Sequence, residues 1–266
     1  LSSIKIGVVK QIIDLRLVGK REWPNAVLLK LRSDVLPLPA AAPGQFVQVR
    51  VDQSPATYLR RPISIHFIDE KQQELWLLVR KAGAGTRAMA SWPVQTMVNL
   101  VMPLGHPFTL SGLSSSDKVL LAGGGIGLAP LLYLGKVLSQ KGLRPVFLLG
   151  GRTSDDLIQI PEFEQYGEVC LSSEDGSAGA RGLLTRHPVL KERTFDRIYC
   201  CGPKPMMVAV AAYARERGIW CEVSLENTMA CGLGACLCCV EETTEGHRCV
   251  CQDGPVFNIN QLKWQI

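Results

Sequence analysis

The chain has 266 residues, 47% hydrophobic and 20% charged, which excludes a disordered chain and leaves room for two domains and a small third. No stretch reaches about 18 uninterrupted apolar residues, and the N-terminal LSSIKIGVVKQIIDL has no basic region leading into an apolar run and a cleavage site, so we expect a soluble, cytoplasmic protein without a membrane partner. The net charge of +5 is uneven, +7 over residues 1–100, +1 over 101–225 and −3 over 226–266; no basic run is interleaved with aromatics, which argues against a nucleic-acid partner.

From residue 1 to about 104 the texture is β. NAVLLKLR, GQFVQVRV, PISIHFI, LWLLVRK and QTMVNLVMP are short apolar runs bounded by Pro, Gly or polar residues, the pattern of a small antiparallel barrel or sandwich. Near 115 the rhythm changes. DKVLLAGGGIGLAPLLYLGKVLSQKG reads as a strand, a glycine turn and a helix ended by Gly142. RPVFLLGG, EVCLSS and DRIYCCG are further buried strands, PMMVAVAAYARERG is a helix, and GIWCEVSLE closes the region as its last strand. Strand and helix in alternation predict a parallel sheet covered on both faces. The remaining residues are too few for an independent core without a staple.

Cysteine supplies one. Six of the ten cysteines lie between 231 and 251, whereas Cys170, Cys200, Cys201 and Cys221 are scattered and of core type. In a reducing compartment clustered thiols are metal ligands rather than disulfides. Cys231, Cys236 and Cys239 stand in C-x4-C-x2-C spacing with Cys251 beyond, the plant-type ferredoxin arrangement for a [2Fe–2S] cluster. Gly232 and Gly234 suit a loop that must wrap inorganic sulfide. A tetrahedral zinc site from Cys236, Cys239, Cys249 and Cys251 is the alternative, and it leaves Cys231 unused. On the cluster reading Cys238 and Cys249 are spare thiols.

AGGGIGLAP (122–130) follows a strand and opens a helix, a setting in which backbone N–H groups hold a pyrophosphate. Arg61 and Ser64 in LRRPISI share a strand and are read as a clamp on a phosphate, and Gly85 and Thr86 in AGAGT, where a strand turns into the short helix TRAMASW, offer a second anion site. Each is also ordinary strand or turn chemistry when taken alone. None of His66, His106, His187 and His247 sits in a catalytic-looking set, and no catalytic side chain is assigned.

In chain order R-x-x-S, G-x-G-T, GGGIG and CGPKPMM resemble the ferredoxin–NADP reductase superfamily. The appended C-x4-C-x2-C-x11-C with DGPVF narrows the resemblance to the iron–sulfur electron-transfer subunits of type B, NAD-dependent dihydroorotate dehydrogenase, over essentially the whole chain. The resemblance implies an FAD-binding β-barrel domain over 1–104, an NAD-binding α/β domain over 105–225 and a small [2Fe–2S] domain over 226–266. It implies FAD contacts from Arg61, Pro62, Ile63, Ser64, Leu78, Val79, Arg80, Gly85 and Thr86. Gly123, Gly124, Gly125 and Gly127 would face NAD, with Cys201, Gly202 and Pro203 near the nicotinamide–flavin contact. The implied partner is an FMN-containing dihydroorotate dehydrogenase catalytic subunit, two of each chain forming a heterotetramer that serves pyrimidine biosynthesis. The small subunit of an NADH-dependent ferredoxin:NADP transhydrogenase or of a sulfhydrogenase has a similar layout and is the second reading. Two departures stand out: Ile63 replaces the superfamily's aromatic before the serine, and Cys238 replaces the usual glycine between the second and third ligands. GGRTSDDL pairs Arg152 with Asp155 and Asp156, a poor setting for the extra phosphate of NADP.

Overall fold

The structure is a computed structural model describing residues 9–34, 37–52 and 54–264. Strands β1 (Gln11–Glu22), β2 (Ala26–Arg32), β3 (Phe46–Val49), β4 (Arg61–Asp69), β5 (Glu74–Arg80) and β6 (Met97–Leu104) close an antiparallel barrel in the order β1-β2-β5-β4-β3-β6. Side-chain alternation explains it. Val27, Leu29 and Leu31 of β2 and Leu75, Leu77 and Val79 of β5 fill the barrel, while Ala26, Leu28 and Leu78 turn outward into the core of the following region. Burial on both faces is why these runs are almost continuously apolar. β1 was not among the expected strands. It carries only Leu15 and Leu17 fully into the core amid charged, exposed neighbours, and a bulge lies between Leu17 and Gly19. Helix α1 (Ala84–Ser91) links β5 to β6.

The second region alternates as expected. Strands β7 (Val119–Gly124), β8 (Val146–Gly151), β9 (Glu168–Ser173), β10 (Ala180–Arg181), β11 (Arg197–Cys201) and β12 (Trp220–Ser224) form a parallel sheet, with helices α2 (Ala129–Gln140), α3 (Ile160–Glu164), α4 (Val189–Glu192) and α5 (Lys204–Glu216) between them. β12 is the last parallel strand, as expected, but not the edge of the sheet. A hairpin of β13 (Val240–Thr243) and β14 (Gly246–Cys249) and helix α6 (Val250–Asp253) lead to β15 (Val256–Asn258), which pairs antiparallel with β12. Three residues carry too little periodicity to read as a strand in advance. The chain runs outward from β7 through β8 and β9 on one side and through β11 and β12 on the other, so the topological switch lies between β7 and β11. Among the described residues no helix is long and apolar enough to cross a membrane.

Helix α2 docks on the outside of the barrel. Tyr133 Oη donates to the Ala41 carbonyl (3.0 Å), and Lys136 Nζ donates to the Ile68 carbonyl (2.7 Å) and pairs with Glu70. Beneath the helix N-terminus His66 is fully buried, with Nδ1–H donating to the Ala129 carbonyl at 2.7 Å. Burial pushes this imidazole down to about 4, because a charged ring would lose its hydration there. An unfolded histidine titrates near 6.5, so between those values the unfolded chain binds the extra proton. The contribution is intact above about pH 6.5 and is lost as pH falls toward 4, a difference on the order of 3 kcal/mol. Urea unfolding of the native protein and of His66→Gln across pH 7.5 to 4.5 should show a steeper acid loss in the native protein; parallel curves would refute the assignment.

Candidate functional site

The barrel is split at one end. β4 and β5 pair from Asp69↔Glu74 as far as Ile65↔Leu77 and no further, although Arg61–Ser64 remain paired to β3 and Leu78–Arg80 to β2. Each strand therefore keeps one row of backbone donors and acceptors unused by the other, which a planar ligand lying along the split can satisfy. Leu78 and Val79 point into the cores on either face, so they offer a ligand main chain only. Arg80 is exposed. Arg61 reaches the first turn of α1: a Cβ added to Gly85 would lie 2.9 Å from Arg61 Nε and 3.0 Å from Thr57 Cγ2. Guanidinium and helix N-terminus together concentrate positive potential at this point. Thr86 Oγ1 is occupied by the turn itself, accepting from the N–H groups of Ala82 and Gly83 at 3.0 Å.

Strand alternation separates Arg61 from Ser64. Ile63 and Ile65 face the barrel interior, so Arg61 lies on that side at the mouth and Ser64 on the outer face beside Phe46. A residue three positions away on a strand cannot share a face, so the two do not clamp one phosphate. They suit different parts of one long ligand.

A cleft of about 460 Å³ runs from Ala26 and Arg80 on the barrel across the carboxyl ends of the parallel strands, past Gly124, Gly150 and Pro203 to Glu226. It lies over the switch between β7 and β11, where open α/β sheets bind ligands. Gly124 and Gly125 line it. Gly123 instead packs beneath α2, near Leu128 and Leu131. Gly127 is wedged so tightly against the Cys201 main chain that a Cβ would collide with its carbonyl and come within 2.6 Å of the Gly202 α-carbon. Gly127 thus sets the close approach of β7 to β11, and Gly124, Gly125 and Pro203 line the cleft. At the far end Arg152 Nε and N–H both reach Asp156 Oδ2 (3.3 and 3.1 Å), with Asp155 and Glu174 beside them.

At the barrel side of the cleft the Cys201 thiol points at Glu226 Oε1 (3.9 Å). Burial, then Glu226, pushes Cys201 well above the ordinary thiol range, so it is a neutral thiol and no nucleophile. Water reaches Glu226 through the open cleft, yet protein walls it on most sides. This enclosure raises its carboxyl, opposed first by Arg80 and then by Cys201. Glu226 was not anticipated, since it stands alone in sequence and gains its meaning only from Cys201 and Arg80.

The cysteines gather in two pairs. Cys231 lies beside Cys236, and the Cys251 N–H donates to Cys239 Sγ at 3.3 Å. The Leu233 N–H donates to Cys231 Sγ at 3.3 Å and, with those of Cys236 and Ala235, holds this thiol down to about 6. The Gly234 N–H reaches Cys251 Sγ at 3.1 Å, while burial pushes Cys251 up to about 12, so a metal entering here must displace its proton. Gly232 and Gly234, at φ of +71° and +83°, turn those N–H groups toward the sulfurs. The two cysteine pairs, Cys231 with Cys236 and Cys239 with Cys251, are the arrangement the structure offers to a metal centre. Cys249 Sγ faces the Gly234 carbonyl (3.8 Å) and Cys238 is exposed. The left-handed residue between the second and third ligands is Leu237, at φ +56°, rather than Cys238.

Residues 226–263 match the iron–sulfur cluster binding domain of dihydroorotate dehydrogenase B. The electron transfer subunit of dihydroorotate dehydrogenase B (NAD(+)) from Shouchella clausii is 42% identical over 224 residues, 83% of this chain and 86% of that protein. Its counterpart from Bacillus caldolyticus is 38% identical over 223 residues with the same coverage. The chain belongs to this family.

As a family member it also shares its fold with a solved NADH-dependent reduced ferredoxin–NADP oxidoreductase studied for flavin-based electron bifurcation, with a TM-score of 0.83 and 29% identity over 94% of this chain and 90% of that one. The ferredoxin reductase of carbazole 1,9a-dioxygenase shares the fold at a TM-score of 0.67, 20% identity, and coverage of 80% and 68%. Serine substitution of Cys231, Cys236, Cys239 or Cys251 should abolish the visible and EPR signals of a [2Fe–2S] cluster, whereas Cys238→Ser and Cys249→Ser should keep them. Cluster loss in Cys238→Ser with retention in Cys239→Ser would overturn the register. Arg61→Ala should release flavin on dialysis, a charge-assisted hydrogen bond contributing about 1.5 to 3 kcal/mol; full flavin retention would show that Arg61 does not hold the pyrophosphate.

Proposed function

We propose that this subunit passes electrons between the FMN of a separate dihydroorotate dehydrogenase subunit and NAD, through a [2Fe–2S] cluster and FAD, for pyrimidine biosynthesis. The observation that carries the reading is the coexistence in one chain of the split barrel end, the cleft at the β7/β11 switch and the two cysteine pairs. When bound, FAD exchanges an electron pair with nicotinamide and single electrons with the cluster. The polypeptide's part is to hold and orient. Arg61 and the α1 N-terminus take the FAD pyrophosphate, the unpaired edges of Arg61–Ser64 and Leu78–Arg80 take the flavin and its chain, and Gly85 leaves room for the guanidinium. Gly124, Gly125 and Pro203 receive NAD, with Cys201 and Gly202 behind the nicotinamide. Asp155, Asp156 and Glu174 disfavour a further phosphate by like charge. Cys231 and Cys236 hold one iron, and Cys239 and Cys251 the other.

The relatives are named electron transfer subunits, which supports placing dihydroorotate oxidation on a partner polypeptide. The partner is the FMN-bearing catalytic subunit, and the assembly is a heterotetramer of two of each in the cytoplasm. The similarity to the NADH-dependent reduced ferredoxin–NADP oxidoreductase supports a second reading, a small subunit serving a ferredoxin:NADP or sulfhydrogenase complex. Reconstitution separates them. Alone, the protein should reduce a dye with NADH and leave dihydroorotate untouched; mixed with the FMN subunit of the same organism, it should confer dihydroorotate-dependent NAD reduction. Failure to bind or couple to that subunit would move the assignment to the second reading.

A further inference from the structure

One buried amide is left without a partner at the boundary between barrel and cluster loop. Gln48 lies on β3, 1% exposed, and neither its Oε1 nor its Nε2 has a hydrogen-bond partner among the described residues. Its main-chain carbonyl is satisfied, accepting from Arg60 Nη1 at 3.2 Å, so only the side chain is unpaired. Buried amides without partners are rare because their lost hydration is not returned. Gln48 is therefore a place to look for an absent acceptor.

Its surroundings say which one. Gln48 stands across from Pro62, inside the Arg61–Ser64 segment. It shares the outer face of β3 with Phe46, which packs in the same core as Cys239 and Cys251. Its tip meets Gly232, the residue after Cys231: a Cβ there would lie 2.6 Å from Gln48 Nε2 and 2.7 Å from Cγ. Thus the amide extends from the flavin-side strand to the cysteine loop. Both elements that enclose it belong to redox sites.

We propose that Gln48 is a positioning residue for the cluster, its Nε2–H donating to a sulfur on the Cys231 side and thereby raising the cluster's reduction potential. Thiolate and sulfide sulfurs in a cluster accept hydrogen bonds and cannot donate, so Nε2 is the atom that turns to them. Reduction adds one negative charge, and an N–H dipole aimed at the sulfurs favours the more negative state, more so in a buried setting. The inference rests on Cys231 being a ligand. It assigns to the barrel strand a control over electron flow that the cysteine loop alone does not have.

The test is a dye-mediated redox titration of the full protein with its cofactors bound, followed by EPR for the cluster and absorbance for the flavin. Gln48→Met keeps the side-chain shape without the donor. It should retain the cluster signal, shift the cluster midpoint to a more negative value and leave the flavin midpoint in place. At a fixed NADH to NAD ratio the reduced fraction of the cluster should fall. Gln48→Glu replaces the donor with an acceptor and should shift the midpoint further in the same direction, which carries the test if the Met variant does not accumulate. A cluster present at full occupancy with an unchanged midpoint in both variants overturns the proposal, as does a shift confined to the flavin. Absence of the cluster from the unsubstituted protein removes the ligand assignment and this inference with it.

Discussion

The packing of Phe46 and Leu104 from the barrel against Cys239, Val250, Cys251 and Phe257 is the contact on which the arrangement depends. The C-terminal segment has no core of its own, so it borrows one from both neighbours. β15 extends the sheet beside β12, and β3 lends its outer face to the cysteine loop. One cysteine pair is thereby fixed in a close-packed interior, where side chains have few alternative positions. Docking α2 on β4 fixes the cleft to the barrel in the same way. Redox groups that exchange electrons need constant separation, and shared cores supply it without a dedicated brace.

The electrostatics follow the same division of labour. At the barrel side of the cleft the two facing groups are shifted upward, Cys201 by burial and Glu226 by partial enclosure. Cys231 is pushed the other way by backbone N–H groups. The first environment suits transfer between two organic rings without a competing nucleophile; the second suits a thiolate that binds metal. Along the sequence the basic excess lies in the barrel region and the acidic excess in the cysteine segment.

Local signals were legible and long-range ones were not. The cysteine spacing put Cys231, Cys236 and Cys239 on one loop but did not show which would pair, because Cys251 meets Cys239 only through the fold. The barrel strands declared themselves where both faces are buried, as in β2 and β5. β1 stayed hidden because one edge of its pattern is charged, and β15 because pairing with β12, not its own three residues, makes it a strand. The Arg61–Ser64 clamp failed on strand alternation, which separates residues three apart. Glu226 and Gln48 had no local signature at all. Their roles come from Cys201, Arg80 and Gly232, residues that only the tertiary fold brings to them.

The asymmetry of the cysteine site also bears on where electrons leave the chain. Cys239 and Cys251 are buried, whereas Cys236 is exposed and is flanked by Leu233 and Leu237, 49% and 65% exposed. Two large apolar side chains beside the exposed Cys236 thiol are costly to leave in water and favourable to cover. Leu237 moreover holds a left-handed conformation that a glycine would adopt without strain, so the loop keeps an apolar side chain where backbone preference alone would remove it. The fold is common to proteins with different electron partners, as the ferredoxin–NADP oxidoreductase structure shows. The fold therefore does not choose the partner; on the proposed reading that choice falls to the rim around Cys236, where the catalytic subunit would exclude water from the exposed ligand and the two leucines together.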